Sequence, residues 1–183
     1  ATGITGRERA VRETWSELLD QGPEGVKFGI IRFSAQAQSQ TPTDLDADGL
    51  PDTYYSSDRT ILDFGTAALG VTDRTTNYIN ALGEAYFEMR TELQNAELES
   101  LPLSKYIVIF LSDGEPDTDQ SDARQNSREE ILEQVAQLQE LADTFRVGEF
   151  EFHTAFLQSG QQAADESAKE LLQDMAQVGG GNF

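Results

Sequence analysis

The chain has 183 residues, of which 38% are hydrophobic, so it is long and apolar enough to bury one core, and a single domain spanning residues 1–183 is expected. Its 33 acidic residues outnumber its 13 basic ones, and the formal charge of −20 at pH 7 repels nucleic-acid phosphates and anionic lipid surfaces, which makes both poor partners. The absence of cysteine excludes disulfides and zinc thiolate sites, and no apolar run approaches the roughly 20 residues that a membrane-spanning helix needs, so no membrane insertion is expected.

The first third of the chain contains one predicted helix, one predicted strand and a long polar segment. Apolar residues recur at helical spacing over residues 5–20, which predicts an amphipathic helix. The segment from Val26 to Phe33 is short and rich in β-branched and aromatic residues, which favours a buried strand. Residues 35–60 consist mainly of Gln, Ser, Thr, Asp, Pro and Gly, which indicates a long loop or insertion, and a short strand is predicted near Thr60 to Phe64.

Strands and helices alternate through the rest of the chain. The segment 106–111 is apolar at every position, which predicts a strand covered on both faces inside a sheet. Alternation of this length requires crossover connections, so the fold class expected is α/β, with a doubly wound, mostly parallel sheet flanked by helices. The other predicted elements are helices around 79–93, 127–145 and 171–178 and a strand over 150–157.

Two polar segments adjoin these elements. In doubly wound folds, ligands bind beyond the carboxyl ends of the strands. Asp113 directly follows the strand 106–111, and the turn made by Gly114 and Pro116 would aim its carboxylate outward. Thr76 precedes the second helix, where its hydroxyl can cap the helix or ligate an ion. Taken singly, each segment also has an ordinary structural explanation, as a turn and as a helix N-cap.

Taken together, these segments resemble the von Willebrand factor A (vWA) family. The similarity covers nearly the whole chain except residues 35–60 and implies a Rossmann-like vWA fold. The strand-Asp-Gly turn of the family corresponds to Ile109 to Pro116, and its Thr-Asn and Ala-Leu pairs to Thr76-Asn77 and Ala81-Leu82. Three further segments resemble the second strand, the fifth strand and the last helix of the family: Val26 to Ser34, Phe150 to Leu157 and Leu171 to Phe183.

The resemblance implies a metal-ion-dependent adhesion site at the top of the sheet. Thr76 would contribute a hydroxyl and Asp113 a carboxylate to Mg²⁺ or Mn²⁺, and an open coordination position would accept an acidic side chain of a protein partner. The first strand of the family ends in Asp-x-Ser-x-Ser, a motif that residues 1–183 lack. We therefore expect a partial domain, whose central strand and remaining metal ligands come from neighbouring segments of a longer polypeptide. The alternative is a divergent domain with a dead adhesion site. Asn182 and Phe183 resemble the entry to a final strand.

A second candidate site lies in the segment 44–52. Carboxylates at positions 1, 3, 5 and 9 with Gly49 at position 6 match the spacing of an EF-hand-like calcium loop, and the segment resembles the Asp-rich calcium loops of bacterial surface proteins and thrombospondin-type repeats. Position 12 falls on Tyr55, which has no carboxylate, so Asp58 is the nearest candidate for a further ligand. The alternative is an acidic surface turn. The expected Ca²⁺ ligands are the side chains of Asp44, Asp46, Asp48 and Asp52 and the backbone carbonyl of Leu50.

No catalytic constellation is evident in the sequence. His153, the only histidine, has no nucleophile motif near it and is expected to be structural. A hydrolase using Asp113 and Glu115 is disfavoured because neither is paired with a base or nucleophile. Asp117, Asp119 and Asp122 can extend the metal-binding edge, although a solvated acidic loop explains them as well.

The sequence thus predicts a non-enzymatic, metal-dependent protein-binding or adhesion module, part of a larger bacterial surface or pilus-associated protein. An extracellular or cell-surface location is expected because weak calcium sites are filled outside cells and mostly empty in the cytosol. The alternative function is an intracellular vWA scaffold that partners an AAA-type ATPase or chelatase, which would have no use for the calcium loop.

Overall fold

A computed structural model describes residues 5–70, 76–116, 126–157 and 162–183. Across these residues the chain is a mixed α/β protein, which confirms the predicted class at that level. The helices are α1 (Gly6–Gln21), α2 (Arg59–Ala67), α3 (Tyr78–Asn95), α4 (Arg128–Phe145) and α5 (Gln162–Val178). The strands are β1 (Ile31–Phe33), β2 (Ala37–Ser39), β3 (Lys105–Ser112) and β4 (Glu149–Phe156).

The strands form two separate pairs. β3 and β4 are parallel, in register from Lys105 opposite Glu149 to Ser112 opposite Phe156, and α4 is the crossover helix between them. β1 and β2 form a short antiparallel hairpin. Within the described ranges neither pair is hydrogen-bonded to the other, so the structure shows a small parallel sheet rather than one doubly wound sheet.

The C-terminal residues extend the parallel pair on the far side of β4. The Phe152 amide donates to the Gly179 carbonyl and the Thr154 amide to the Asn182 carbonyl, each at 3.0 Å. Phe152 and Gly180 form a parallel bridge. Asn182 therefore lies along β4, as the predicted entry to a final strand requires.

The main core lies on one face of the parallel pair, under α3, α4 and α5. Phe110 and Phe152 project from β3 and β4 into this core, with ring centroids 6.2 Å apart. On the opposite face, Ile107 and Ile109 are 51% and 52% exposed. The prediction that this strand is covered on both faces is therefore wrong for the described residues, because the helices that pack on it all occupy the same side.

A second, smaller core joins α1 and α2. It consists of Trp15, Ile30 and Leu62, and the Trp15 indole donates a hydrogen bond to the Thr66 hydroxyl at 3.0 Å. The helix predicted over residues 5–20 is confirmed as α1, which opens with a capping box between Thr5 and Glu8.

Two strand predictions in this region are wrong. Thr60 to Phe64 lies in α2, because the Asp58 carboxylate accepts the Thr60 amide and caps a helix whose buried face includes Leu62. The strand predicted from Val26 to Phe33 shortens to Ile31–Phe33, with an isolated bridge from Phe28 to Ser56. Ile31–Phe33 pairs with β2 in a hairpin of three residues on each side.

None of the helices in the described part of the chain is both long and apolar enough to cross a membrane.

Candidate metal sites

Three carboxylates of the predicted calcium loop lie together. Asp44, Asp46 and Asp48 each offer an oxygen, and these oxygens lie within 4.8 Å of one another. All three residues are exposed. Three negative charges at this separation repel one another, and a divalent cation between them would remove that repulsion while accepting hard oxygen ligands.

Local hydrogen bonds fold the backbone around these carboxylates. The two oxygens of Asp44 accept the amides of Ala47 at 2.6 Å and Gly49 at 2.8 Å. The Asp48 carboxylate accepts the Leu50 amide at 2.8 Å. Ala47 has φ 62° and Gly49 φ 92°, so the chain turns sharply at two points, and glycine meets the second at little steric cost.

Asp52 closes the loop from its far end. Its Oδ2 atom accepts the amides of Leu45 at 2.7 Å and Asp46 at 3.3 Å, so it holds the backbone instead of joining the cluster of three carboxylates. Leu45 and Leu50 are 73% and 67% exposed. Both leucine side chains therefore lie in solvent, so packing in a core does not explain why Asp alternates with apolar residues in this loop.

The root of the loop is fixed to α3. Thr43 and Thr53 form an antiparallel bridge, with the Thr43 amide donating to the Thr53 carbonyl at 2.8 Å. The Thr53 hydroxyl donates to Glu92 of α3 at 2.6 Å, and the Asn95 side chain donates to the Asp52 carbonyl at 3.3 Å. These hydrogen bonds hold the root of the loop against α3.

Asp58, the nearest candidate for a further ligand, has a structural role. Its Oδ1 atom accepts the Thr60 amide at 2.7 Å as the N-cap of α2. Tyr55, at position 12 of the loop pattern, packs edge-on against Tyr106 with ring centroids 6.3 Å apart. The structure therefore gives both residues structural contacts, and the assignment of a fourth protein side chain to the ion stays a prediction.

The predicted adhesion site occupies the end of β3. Asp113 forms an ion pair with Arg7 at 2.6 Å, and both side chains are partly exposed. The Tyr78 hydroxyl donates to the Gly114 carbonyl at 2.7 Å, which joins the turn after β3 to the start of α3. The Asn77 amide donates to the Ser34 carbonyl at 2.8 Å. The ends of β1 and β3 and the starts of α1 and α3 therefore converge here.

Thr76 lies at this convergence, directly before Asn77. The N-cap of α3 is Asn77, whose side chain accepts the Asn80 amide at 2.9 Å, so the helix-cap explanation for Thr76 is not supported. The Asp113 carboxylate contacts Arg7, and the role of Thr76 as a metal ligand stays a prediction. Asp117, Asp119 and Asp122 lie outside the described residues.

His153 has two structural contacts. Its Nε2 atom lies 2.9 Å from Glu151, and its Nδ1 atom accepts the Asn182 amide at 3.0 Å. Hydrogen bonds from His153 and Lys105 hold the pKa of Glu151 below its usual range. These contacts fasten the C-terminal residues to β4, as expected for a structural histidine.

Sequence reasoning missed a buried carboxyl group, Glu88 of α3. Its side chain is 2% exposed, and burial raises its pKa to about 8, with repulsion from Glu84 adding to the shift and the Ser39 hydroxyl opposing it. The helical spacing of apolar residues in α3 could have revealed that Glu88 is buried, because it lies two turns after the buried Ala81 and next to the buried Met89. The side chain therefore shares the helix face that packs inward.

No protein-family model matches the chain, and no curated protein sequence is significantly similar to it.

Proposed function

We propose that this protein is a calcium-binding, non-enzymatic protein-binding module whose loop 44–52 holds the ion. The observation that carries the proposal is the group of three exposed carboxylates, Asp44, Asp46 and Asp48, whose oxygens lie within 4.8 Å of one another. Oxygen-only ligands on an irregular loop favour Ca²⁺, which tolerates irregular geometry and takes six to eight oxygens. Mg²⁺ demands near-octahedral geometry and keeps several waters, which suits this loop less well.

The ligand set of this site would combine side chains with the backbone and water. The three clustered carboxylates supply charge, the Leu50 carbonyl is the expected backbone ligand, and waters complete the shell. Asp52 supports the site by holding the amides of Leu45 and Asp46. Weak, exposed sites of this kind are filled at extracellular calcium concentrations, which supports a location outside the cell or at its surface.

The second part of the proposal is metal-dependent adhesion at Asp113, with Thr76 as a further ligand and Mg²⁺ or Mn²⁺ as the ion. It is supported by the convergence of four element ends around Asp113 and by the resemblance to vWA domains. The Arg7 guanidinium, 2.6 Å from Asp113, would have to give way to the cation. An acidic side chain of a protein partner would then complete the coordination, as part of a larger bacterial surface or pilus-associated protein.

Isothermal titration with Ca²⁺ tests the calcium site. The wild-type protein should bind Ca²⁺, whereas the double variant Asp46→Ala, Asp48→Ala should lose at least about tenfold in affinity, since two of three clustered carboxylates are removed. The matched control is Glu97→Ala, Glu99→Ala, which removes two exposed carboxylates elsewhere and should bind as the wild type does. Equal calcium binding by all three proteins would contradict the proposal.

The same titration with Mn²⁺, carried out on the larger parent polypeptide that this part of the proposal assumes, addresses the adhesion site. Asp113→Ala should lose one Mn²⁺-binding event and keep the calcium site, because Asp113 lies outside the loop 44–52. Unchanged Mn²⁺ binding in this variant would remove Asp113 from the proposal and leave calcium binding standing.

A further inference from the structure

A lobe formed by residues 28–56 carries the calcium loop and closes on itself at its base. The Phe28 amide donates to the Ser56 carbonyl and the Ser56 amide donates to the Phe28 carbonyl, each at 2.9 Å. Between these hydrogen bonds the lobe contains β1, β2 and the loop 44–52. Both strands pack against α3, so the lobe is one unit seated on that helix.

Glu88 lies beneath this lobe. Its carboxyl is almost wholly buried, and its Oε1 atom has no hydrogen-bond partner among the described residues. A Cβ added at Gly29 would lie 3.0 Å from Glu88 Oε2 and 3.4 Å from the Tyr54 carbonyl oxygen. The base of the lobe thus closes directly over the carboxyl, with little space between them.

Among the polar groups around Glu88, the Ser39 hydroxyl favours the ionised carboxylate, but by less than burial disfavours it. From α3 itself come Glu84, which accepts the Ser39 amide at 3.3 Å, and Glu92, which accepts the Thr53 hydroxyl. The titratable groups that face this region from the lobe and from β3 are Tyr54, Tyr55 and Tyr106. Lys27, directly before the lobe, is cationic and forms an ion pair with Glu92 at 3.6 Å.

A neutral Glu88 carboxyl fits this environment, and an ionised one does not. The ionised form loses its hydration on burial and gains repulsion from Glu84, whereas the neutral form avoids both costs. The least disruptive way to hydrate an ionised Glu88 is to lift the base of the lobe away from α3. Seating of the lobe and protonation of Glu88 are therefore linked.

We propose that Glu88 is a pH-sensitive switch that seats the lobe on α3 when its carboxyl is neutral and loosens the lobe when the carboxyl is ionised. Because the same lobe carries the loop 44–52, cation binding there and protonation of Glu88 favour each other. This link between cation binding and Glu88 rests on the proposed function, since the cation is the calcium ion assigned to that loop. The path between the two sites is short: the Thr53 hydroxyl, next to Asp52, donates a hydrogen bond to Glu92, and Glu92 lies about one helical turn after Glu88 in α3.

The sign of the linkage is unusual for a carboxylate site. Binding of a metal to acidic ligands releases protons. Here calcium would stabilise the seated lobe, which keeps Glu88 protonated, so binding near pH 8 takes up protons instead. The seated lobe is favoured below the ordinary carboxyl pKa of 4.5, and that advantage is lost progressively as the pH rises to about 8.

Hydrogen exchange without calcium tests the switch itself. The protection factors of the Phe28, Thr43 and Ser56 amides should fall between pH 6 and pH 8 in the wild type, by up to about tenfold per pH unit. Glu88→Gln keeps the shape and stays neutral, so its protection factors should not change over this range. Glu133→Gln, at an exposed carboxylate of α4, should behave as the wild type does. A pH-independent wild type, or an equal fall in Glu88→Gln, overturns the proposal.

The titration of the Glu88 carboxyl, followed by side-chain carboxyl NMR of the wild type, tests the switch without any variant. A Glu88 titration midpoint close to 8 supports the switch, and a midpoint close to the ordinary 4.5 overturns it.

Calcium titration at pH 8 in two buffers of different ionisation enthalpy tests the link to the cation. The wild type and Glu133→Gln should take up a fraction of a proton for each Ca²⁺ bound, and Glu88→Gln should take up none. Calcium binding with no proton uptake in the wild type contradicts the link and leaves the calcium site intact. Absence of calcium binding contradicts the proposed function, while the hydrogen-exchange result still decides the switch.

Discussion

At the scale of single residues, the loop 44–52 depends on a few backbone conformations as much as on its carboxylates. Gly49 has φ 92° and donates its amide to Asp44. A Cβ added at Gly49 would meet no atom within 4 Å, so a substitution there changes the backbone preference and nothing else. The geometry of the loop can therefore be perturbed without removing a ligand.

We expect Gly49→Ala to destabilise the protein by about 1 kcal/mol, because alanine disfavours a left-handed backbone. It should also weaken calcium binding several-fold, since the turn that gathers Asp44 and Asp48 loosens. Gly25→Ala is the matched control, with φ 85° and equally open space. It should cost the same stability in urea unfolding and leave calcium affinity unchanged. An equal effect of both variants on calcium affinity would show that the loop conformation does not matter for binding.

At the scale of elements, the sequence predicted what local patterns determine. Apolar spacing predicted α1, α3 and α4, and a run of apolar residues predicted β3. The region around α2 was mispredicted because its helix depends on a cap by Asp58, a residue also compatible with a loop. Local propensity is weak evidence when a single polar side chain decides between two states.

The faces of β3 show a second limit of local patterns. A continuous apolar run does not reveal which face the helices cover, because that depends on crossover connections made elsewhere in the chain. Similarly, Glu88 is buried by Gly29, 59 positions earlier in the sequence. No pattern within α3 alone identifies the segment that closes over it.

The two faces of β3 should respond differently to truncation. Phe110→Ala should destabilise the protein by about 3–5 kcal/mol, because it opens a cavity between β3, β4 and α3. Ile109→Ala should cost less than about 1.5 kcal/mol, because that side chain is half-exposed. Chemical denaturation of both variants measures the difference. Equal losses would mean that both faces of the strand are covered, as a doubly wound sheet requires.

At the scale of the whole molecule, a cation in the calcium loop would affect stability through the negative charge of the protein. The chain carries a formal charge of −20, and repulsion among its carboxylates opposes the compact state. Cation binding at one cluster relieves part of that repulsion and adds binding free energy to the folded state alone. The sequence predicted the carboxylate cluster because its ligand spacing is local, whereas the surroundings of Asp113 and its ion pair with Arg7 depend on tertiary contacts between distant segments.

Calcium binding by the loop 44–52 can be observed residue by residue in a two-dimensional ¹H–¹⁵N NMR titration of the wild-type protein with Ca²⁺. The amides of Ala47, Gly49 and Leu50 now donate to the Asp carboxylates that would bind the ion. We predict that these three signals shift first, saturably and together, with smaller shifts at Thr53 where the loop joins α3. Calcium binding by the loop 44–52 would be contradicted if these amides stayed unshifted at millimolar Ca²⁺, or if the only shifts were weak, unsaturable ones spread over the acidic surface.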